Sequence, residues 1–286
     1  MDQFTPTQLR FPAIAGFTVR GDFNGGMLSS DFGALLLHGS DRQTGLIDLL
    51  ASAIRDQRHA SYIDHSLSDL LRQRVFQTAC GYADGNDANS LRHDPVFKLA
   101  AERAPLDTGN ALASGPTFSR LENAMTRKDI YRLAQAFVDA FVASYATPPA
   151  MIVLDMDHSE DRTHGQQELA FYNHHYRSHC YLPLFLFEGL SGKLITAVLR
   201  PGKRPTGREN AAIIGRVVRR LRRAWPDTHI LLRGDGHFAN PELMALCEGD
   251  DQMDFLFGLA GNRALTPKAT PLLDRARTLH CLLYTS

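Results

Sequence analysis

The segment MIVLDMDHSEDRTHGQQ, residues 151–167, begins as a run of apolar residues and ends in carboxylates. Met151, Ile152, Val153 and Leu154 are too few for a helix and rich in strand formers, so they read as a buried strand. Asp155 and Asp157 follow at a spacing of two, which places both on the same face of that strand. A carboxylate at the end of a buried strand is costly unless it is paired or holds a cation. The plainer alternative is a strand that runs out into a polar turn, where Asp is common.

A second segment, THILLRGDGHF (residues 228–238), has the same form. His229 to Arg233 reads as another short strand, with Asp235 at its end between Gly234 and Gly236. The two glycines are expected to let the backbone turn sharply there. Two strands of one domain, each delivering an Asp at its tip, would set two carboxylates side by side. Such a pair is best tolerated with a divalent cation between them, and hard oxygen ligands suit Mg²⁺ or Mn²⁺.

With 286 residues the chain has room for one large or two ordinary domains. Its 44% apolar and 22% charged residues are the proportions of a soluble globular protein. No apolar run is long enough to span a membrane, so no membrane partner is expected, and the N-terminus lacks the basic start and apolar core of a signal peptide. Cys80, Cys180, Cys247 and Cys281 show no CxxC spacing. That argues for a reducing, cytoplasmic setting and against a disulfide framework or zinc ribbon. The net charge is zero, so any surface for nucleic acid has to be local.

Up to Tyr145 the pattern is mainly helical. A short strand-like piece and a Gly25-Gly26 turn lead to a helix capped by Ser29 or Ser30. Helices follow over 44–58, 66–81, from Pro95, over 117–123 and over 127–145. Within 66–81 the residues Leu67, Leu70, Leu71, Val75 and Phe76 are expected inward. Thr147-Pro148-Pro149 ends the last helix and marks a domain boundary. Residues 1–147 thus form a mainly helical N-terminal region, with DNA contact as one role for it and a packed bundle as the plainer one. After Pro149 strands are expected over 151–157, 181–187, 193–199, 230–233 and 254–259, with a hairpin at Gly189 to Gly192. Helices are expected over 206–224, capped by Thr206, and over 241–247. Three antiparallel strands, a helix, a strand, a helix and a strand is the order of an α/β domain with an RNase H-like mixed sheet and flanking helices. In that fold an acidic site lies at strand tips.

Two further stretches bear on chemistry. Arg200, Lys203, Arg204, Arg208, Arg216 and Arg219, with Arg220, Arg222 and Arg223, are opposed only by Glu209. Beside two carboxylate tips they are a candidate track for a phosphate backbone, against the bland reading of a solvated helix face. FYNHHYRSHCY (residues 171–181) holds His174, His175, His179 and Cys180, a zinc-binding alternative that no ligand spacing makes specific. A polar loop leading into the second strand is the preferred reading.

The stretches LDMDHSEDRTHGQQELAFYNHHYRSHCYLPLFLF, LLRGDGHFANPELM and FLFGLAGNRAL resemble the DDE transposases of bacterial insertion sequences. So do LSDLLRQRVFQTACGYADGNDANSLRHDPVFKLA and PTFSRLENAM upstream, and the resemblance covers nearly the whole chain. It implies metal-dependent phosphodiester hydrolysis and strand transfer at element ends. The implied partners are Mg²⁺ or Mn²⁺, terminal inverted repeats and target DNA, with a homodimer on paired ends. The family's first Asp is followed two residues later by Thr or Ser. Asp157 with Ser159 fits that pattern, Asp155 remains the rival first ligand, and Asp235 in RGDGHF matches the second Asp. The family's third carboxylate lies on a helix well beyond the fifth strand, and Glu242 and Glu248 are too close to Asp235 to be it. Residues 148–280 therefore read as a catalytic domain incomplete at its C-terminus and inactive for lack of the third ligand. CLLYTS, residues 281–286, reads as a non-native tail of translated adapter. The alternatives are a non-catalytic DNA-binding regulator derived from a transposase, and another RNase H-like nuclease.

Overall fold

The structure, a computed structural model, describes residues 8–22, 31–107, 109–258, 261 and 263–284. The expected Gly25-Gly26 turn, the cap at Ser29 or Ser30, and Leu259 at the end of the fifth strand lie outside these residues, as do the side chains of the CLLYTS tail. Two compact units are present, Met1–Ala140 and Phe141–Ser286.

In the first unit β1 (Gln8–Arg10) pairs antiparallel with β2 (Arg20–Asp22). Helices follow as α1 (Gly33–Thr44), α2 (Leu46–Ala53), α3 (Leu67–Ala79), α4 (Asp87–Leu91), α5 (Pro95–Ala100), α6 (Gly115–Ala124) and α7 (Arg127–Ala143). The single helix expected over 44–58 is shorter, because Gly45 takes a left-handed φ of 64° and separates α1 from α2. Ser66 opens α3 through a reciprocal pair of hydrogen bonds with Asp69, and Asp94 caps α5 in front of Pro95. Leu35, Phe76, Phe97 and Leu112 form the main core. Leu70, Ala88, Ala113 and Phe118 form a second one. Within α3 Val75 is exposed, contrary to expectation, and Gln73 is buried in its stead. Gln73 fits because its amide both accepts from the Ala113 N–H and donates to the Ala113 carbonyl, each at 2.9 Å.

The second unit is built on five strands: β3 (Met151–His158), β7 (Leu184–Glu188), β8 (Leu194–Val198), β9 (His229–Gly234) and β10 (Met253–Phe257). They lie in the order β8-β7-β3-β9-β10. The first three are antiparallel, and β9 and β10 run parallel to β3. Parallel neighbours need crossovers, supplied by α8 (Gly207–Ala224) and α9 (Pro241–Glu248). Numbered along the chain the order is 3-2-1-4-5, the RNase H-like arrangement that the element order implied. Asn210, Ile214, Val217, Val218 and Leu221 form the buried stripe of α8, and Thr206 with Glu209 caps its start. Ile152, Leu154, Met156, Leu184, Leu186, Ile230 and Leu232 are buried on one face of the sheet. The opposite face is more open, with Phe187 exposed and Asp155, Phe185 and Leu231 half-buried. A last helix, α10 (Thr266–Tyr284), is exposed over residues 271–280.

The unit boundary falls within α7, ahead of the Thr147-Pro148-Pro149 turn. Its last turn and the residues just after it are held by aromatic packing: Phe141 and Tyr145 meet Trp225 edge-on at 5.6 and 5.2 Å. The expected second strand over 181–187 is divided. Ser178–Tyr181 is β6 of a small three-stranded sheet with β4 (Asp161–Arg162) and β5 (Phe171–Asn173), and only from Leu184 does the chain join the main sheet. The segment read as a polar loop is therefore a structured insertion between the first and second strands of the main sheet.

Candidate active site

Sheet register brings the two aspartates together. β3 and β9 pair in parallel up to Met156 opposite Gly234. The next residues are Asp157 and Asp235, at neighbouring strand ends that lie ~4.8 Å apart in a sheet. Both side chains line one cleft of about 560 Å³ with His158, Tyr172, Tyr176, Lys203, Arg204 and His237. Among the described residues that line it, Asp157 and Asp235 are the only carboxylates. Burial raises the pKa of Tyr176, and the charges of Asp157 and Asp235 add to that rise, so both carboxylates act on one ring.

The glycines around Asp235 serve a different purpose from the one expected. Neither Gly234 nor Gly236 has a positive φ. A side chain on Gly234 would meet the Phe238 ring at 2.8 Å, so Gly234 allows Phe238 to fold beneath the strand end. The Phe238 ring stacks on His158, with centroids 4.9 Å apart and planes 6° from parallel. Burial first, then the Arg200 charge, hold His158 at a pKa of about 4, so the ring is neutral at ordinary pH. His237 adjoins Asp235: its N–H donates to Oδ1 at 2.9 Å, and its ring Nδ1 is 3.4 Å from Oδ2. His158 and His237 were not singled out from the sequence, although each lies within two residues of an aspartate.

Asp155 shares a strand face with Asp157 but not its surroundings. Both its oxygens accept from Arg233, Oδ1 from Nε and Oδ2 from Nη2, each at 2.5 Å. The pair faces across β3 and β9 in register, and Asp155 does not line the cleft.

The expected basic track separates into parts. Lys203 and Arg204 are exposed and line the cleft, with Lys203 set 4.2 Å over the Phe171 ring. Arg208, Arg216 and Arg219 lie on the exposed side of α8. Arg219 stands ~16 Å further along the helix than Arg208. Arg200 does not belong to the track: it is buried, with Nη2 3.4 Å from Glu209 Oε2. Arg222 is likewise occupied, donating to Asp250 and to the backbone carbonyls of Thr228 and Gln252.

The zinc alternative gains no support from the small sheet. Cys180 is fully buried, its thiol pushed up by that burial, and strand alternation turns it away from His179. His174 and His179 pack against Tyr172 edge-on. Among the described residues no group of three His, Cys, Asp or Glu side chains is arranged to hold a metal. No described helix is long and apolar enough to cross a membrane.

A 3-2-1-4-5 mixed sheet with acidic side chains at its two central parallel strand ends defines an RNase H-like α/β protein. The chain belongs to the transposase DDE domain group 1 family, whose model matches residues 11–282. No curated protein matches it. Among solved structures it is similar to a piggyBac transposase synaptic complex with hairpin DNA. Identity there is 13%, covering 83% of this chain and 52% of that one, with a TM-score of 0.35. The chain thus spans about half the length of that transposase. It is also similar to a Mos1 transposase paired-end complex with the left transposon end, at 11% identity over 73% of this chain and 70% of that one, TM-score 0.27. A Mos1 strand transfer complex matches at 10% identity over 90% and 85%, TM-score 0.27.

Proposed function

We propose that the chain is the DDE component of an insertion-sequence DNA transposase, with Asp157 and Asp235 as its catalytic, metal-holding carboxylates. One observation carries this reading: the two side chains enter a single open cleft from adjacent strand ends. Mg²⁺ or Mn²⁺ suits them, because both are exposed hard oxygen donors. Mg²⁺ is commonly held by one or two carboxylates with substrate phosphate and water completing its shell. When bound, such a cation supplies Lewis-acid polarisation of the phosphodiester and an acidified water. The chain's own residues hold the substrate. Lys203 and Arg204 meet the phosphate backbone at the cleft, and the Arg208, Arg216 and Arg219 side of α8 offers further contacts. Asp155 is left out of the site because Arg233 occupies both of its oxygens.

The reaction is hydrolysis at the element's terminal inverted repeats followed by strand transfer to target DNA, on a homodimer holding paired ends in the cytoplasm. With two acids in the cleft where the family resemblance implies three, cleavage by these 286 residues is expected to be very weak or absent. The same observation favours a second reading, a non-catalytic DNA-binding regulator. The two readings part in Mn²⁺ on DNA bearing both inverted repeats. A transposase component binds Mn²⁺ through Asp157 and Asp235, and any nicking is lost in Asp157→Asn and Asp235→Asn. A regulator footprints the repeats and never nicks. Nicking that survives both substitutions together, or failure to bind either Mn²⁺ or the repeats, overturns the transposase reading.

A further inference from the structure

A second cavity, of about 590 Å³, lies wholly within the first unit, between the segment after α2, the start of α3, and α6. That is the size range of small-ligand sites. Its floor is apolar, with Ile54 and Leu70 buried and Leu121 half-buried. Its rim carries Tyr62, 83% exposed. Its charge is uneven. Of the two carboxylates in the lining, Asp56 is taken by Arg58, whose Nε and Nη2 donate to it at 2.9 and 2.7 Å. That leaves Asp64 against Arg55, Arg92 and Arg120.

Arg92 is the informative residue. Its backbone is fixed, its N–H donating to the Ala88 carbonyl at 3.0 Å and its carbonyl accepting from Leu112 at 2.9 Å. Its guanidinium has no hydrogen-bond or ion-pair partner among the described residues, and its Nε is buried without an acceptor. A buried charged donor left unpaired is costly, and an anion in the cavity relieves the excess charge. Arg120 is exposed and, among the described residues, donates only to Thr117 Oγ1, at 3.2 Å. His65, also in the lining, accepts at Nδ1 from Arg103 Nη2 at 2.8 Å, and burial, with the charges of Arg103 and Arg92, holds its pKa below the ordinary histidine value.

We propose that this cavity binds one unstacked nucleotide of DNA, its phosphate held by Arg92 and Arg120 and its base laid against Tyr62 and the apolar floor. The proposal rests on the reading of the chain as a DNA-handling protein. Guanidinium groups match phosphate at two points, and an exposed aromatic ring accepts any base by stacking. A base inside a duplex cannot enter a cavity without leaving the stack. The site therefore takes single-stranded or frayed DNA and discriminates against intact duplex.

The test uses the full chain with a mixed-sequence single-stranded 15-mer carrying one 2-aminopurine, and the same strand in a duplex. The 2-aminopurine is quenched on binding as a single strand and not as a duplex. Tyr62→Ala weakens single-strand binding about tenfold while Tyr62→Phe retains it. Arg120→Ala weakens it and lowers its salt dependence by about one phosphate contact. Substitution of the half-buried Arg92 also disturbs packing, so the test relies on the exposed Tyr62 and Arg120. Wild-type affinity in both Tyr62→Ala and Arg120→Ala, or equal losses for single strand and duplex, overturns the proposal, as does a wild-type chain that does not bind single strands. Repeat-specific, Asp157-dependent Mn²⁺ binding alongside unaffected Tyr62→Ala would sink the cavity alone. Tyr62-dependent quenching in a chain whose Mn²⁺ binding ignores Asp157 and Asp235 would sink the catalytic reading alone.

Discussion

Asp155 and Arg233 face each other across β3 and β9 and are joined at two points, each 2.5 Å long. A carboxylate with both oxygens engaged by a guanidinium is a poor candidate for metal ligation, since binding a cation means displacing the arginine. Asp155→Asn is therefore expected to leave Mn²⁺ affinity within twofold of the starting protein. Asp157→Asn and Asp235→Asn are expected to abolish it. Mn²⁺ titration followed by electron paramagnetic resonance separates the three. Loss of binding in Asp155→Asn would show that Arg233 yields to the metal.

Gly202 sits where the small sheet meets the loop bearing Lys203 and Arg204. A Cβ there would collide with the carbonyl oxygen of Cys180 and lie 2.9 Å from that of Phe171. Both are backbone atoms of paired strands and cannot swing away. Gly202→Ala is expected to cost about 1–3 kcal/mol. Urea unfolding followed by the fluorescence of Trp225, the only tryptophan, measures it. An unchanged midpoint would mean that the two segments separate freely.

Gln73 satisfies both backbone polar groups of Ala113 from inside the core of the first unit. Gln73→Ala leaves that N–H and carbonyl buried without partners, an expected loss of about 1–3 kcal/mol. Hydrogen exchange at the Ala113 amide is expected to accelerate in step with the loss. Protection equal to the wild type would show that water enters in place of the amide.

His65 and His38 in the first unit are both held below the ordinary histidine value, burial being the largest cause in each. At His65 Asp69 and Asp64 act in the opposite sense but do not reverse the shift. The unfolded chain takes up these protons near pH 6.5 while the folded unit resists them. Between the two values the unfolded state binds more protons, so stability rises with pH. The first unit is expected to lose stability as pH falls below 6.5 and to be insensitive above about 7.5. His65→Gln should reduce that slope without removing it, because His38 contributes with the same sign. Hydrogen exchange of the α3 amides at pH 7.5 and 5.5 gives the comparison, and an unchanged slope in His65→Gln would place the effect elsewhere.

Much of the fold is legible without the structure because it depends on local rules. Ser66 and Asp69 start α3, Thr206 and Glu209 start α8, and the order of strands and helices after Pro149 implies the sheet. The errors arise where long-range packing overrides pattern. Val75 has the residue type of a core position and Gln73 does not, yet a backbone group at Ala113, forty residues away, reverses them. Arg200 reads as part of a basic surface, but its side chain turns inward to Glu209. The insertion at 161–181 holds few apolar residues in alternation, so nothing local marks it as strands.

The sequence by itself determined the two aspartate-tipped strands, the family, and the RNase H-like order, because short-range spacing and chain order encode them. Tertiary structure alone decided what surrounds each carboxylate. Asp155 and Asp157 are equivalent by strand period. Register then sets one against Arg233, and carries the other a step beyond the last paired residues to lie beside Asp235. Period two fixes which face a side chain takes, but only the pairing of strands seventy residues apart fixes its neighbours, and those neighbours set its charge environment.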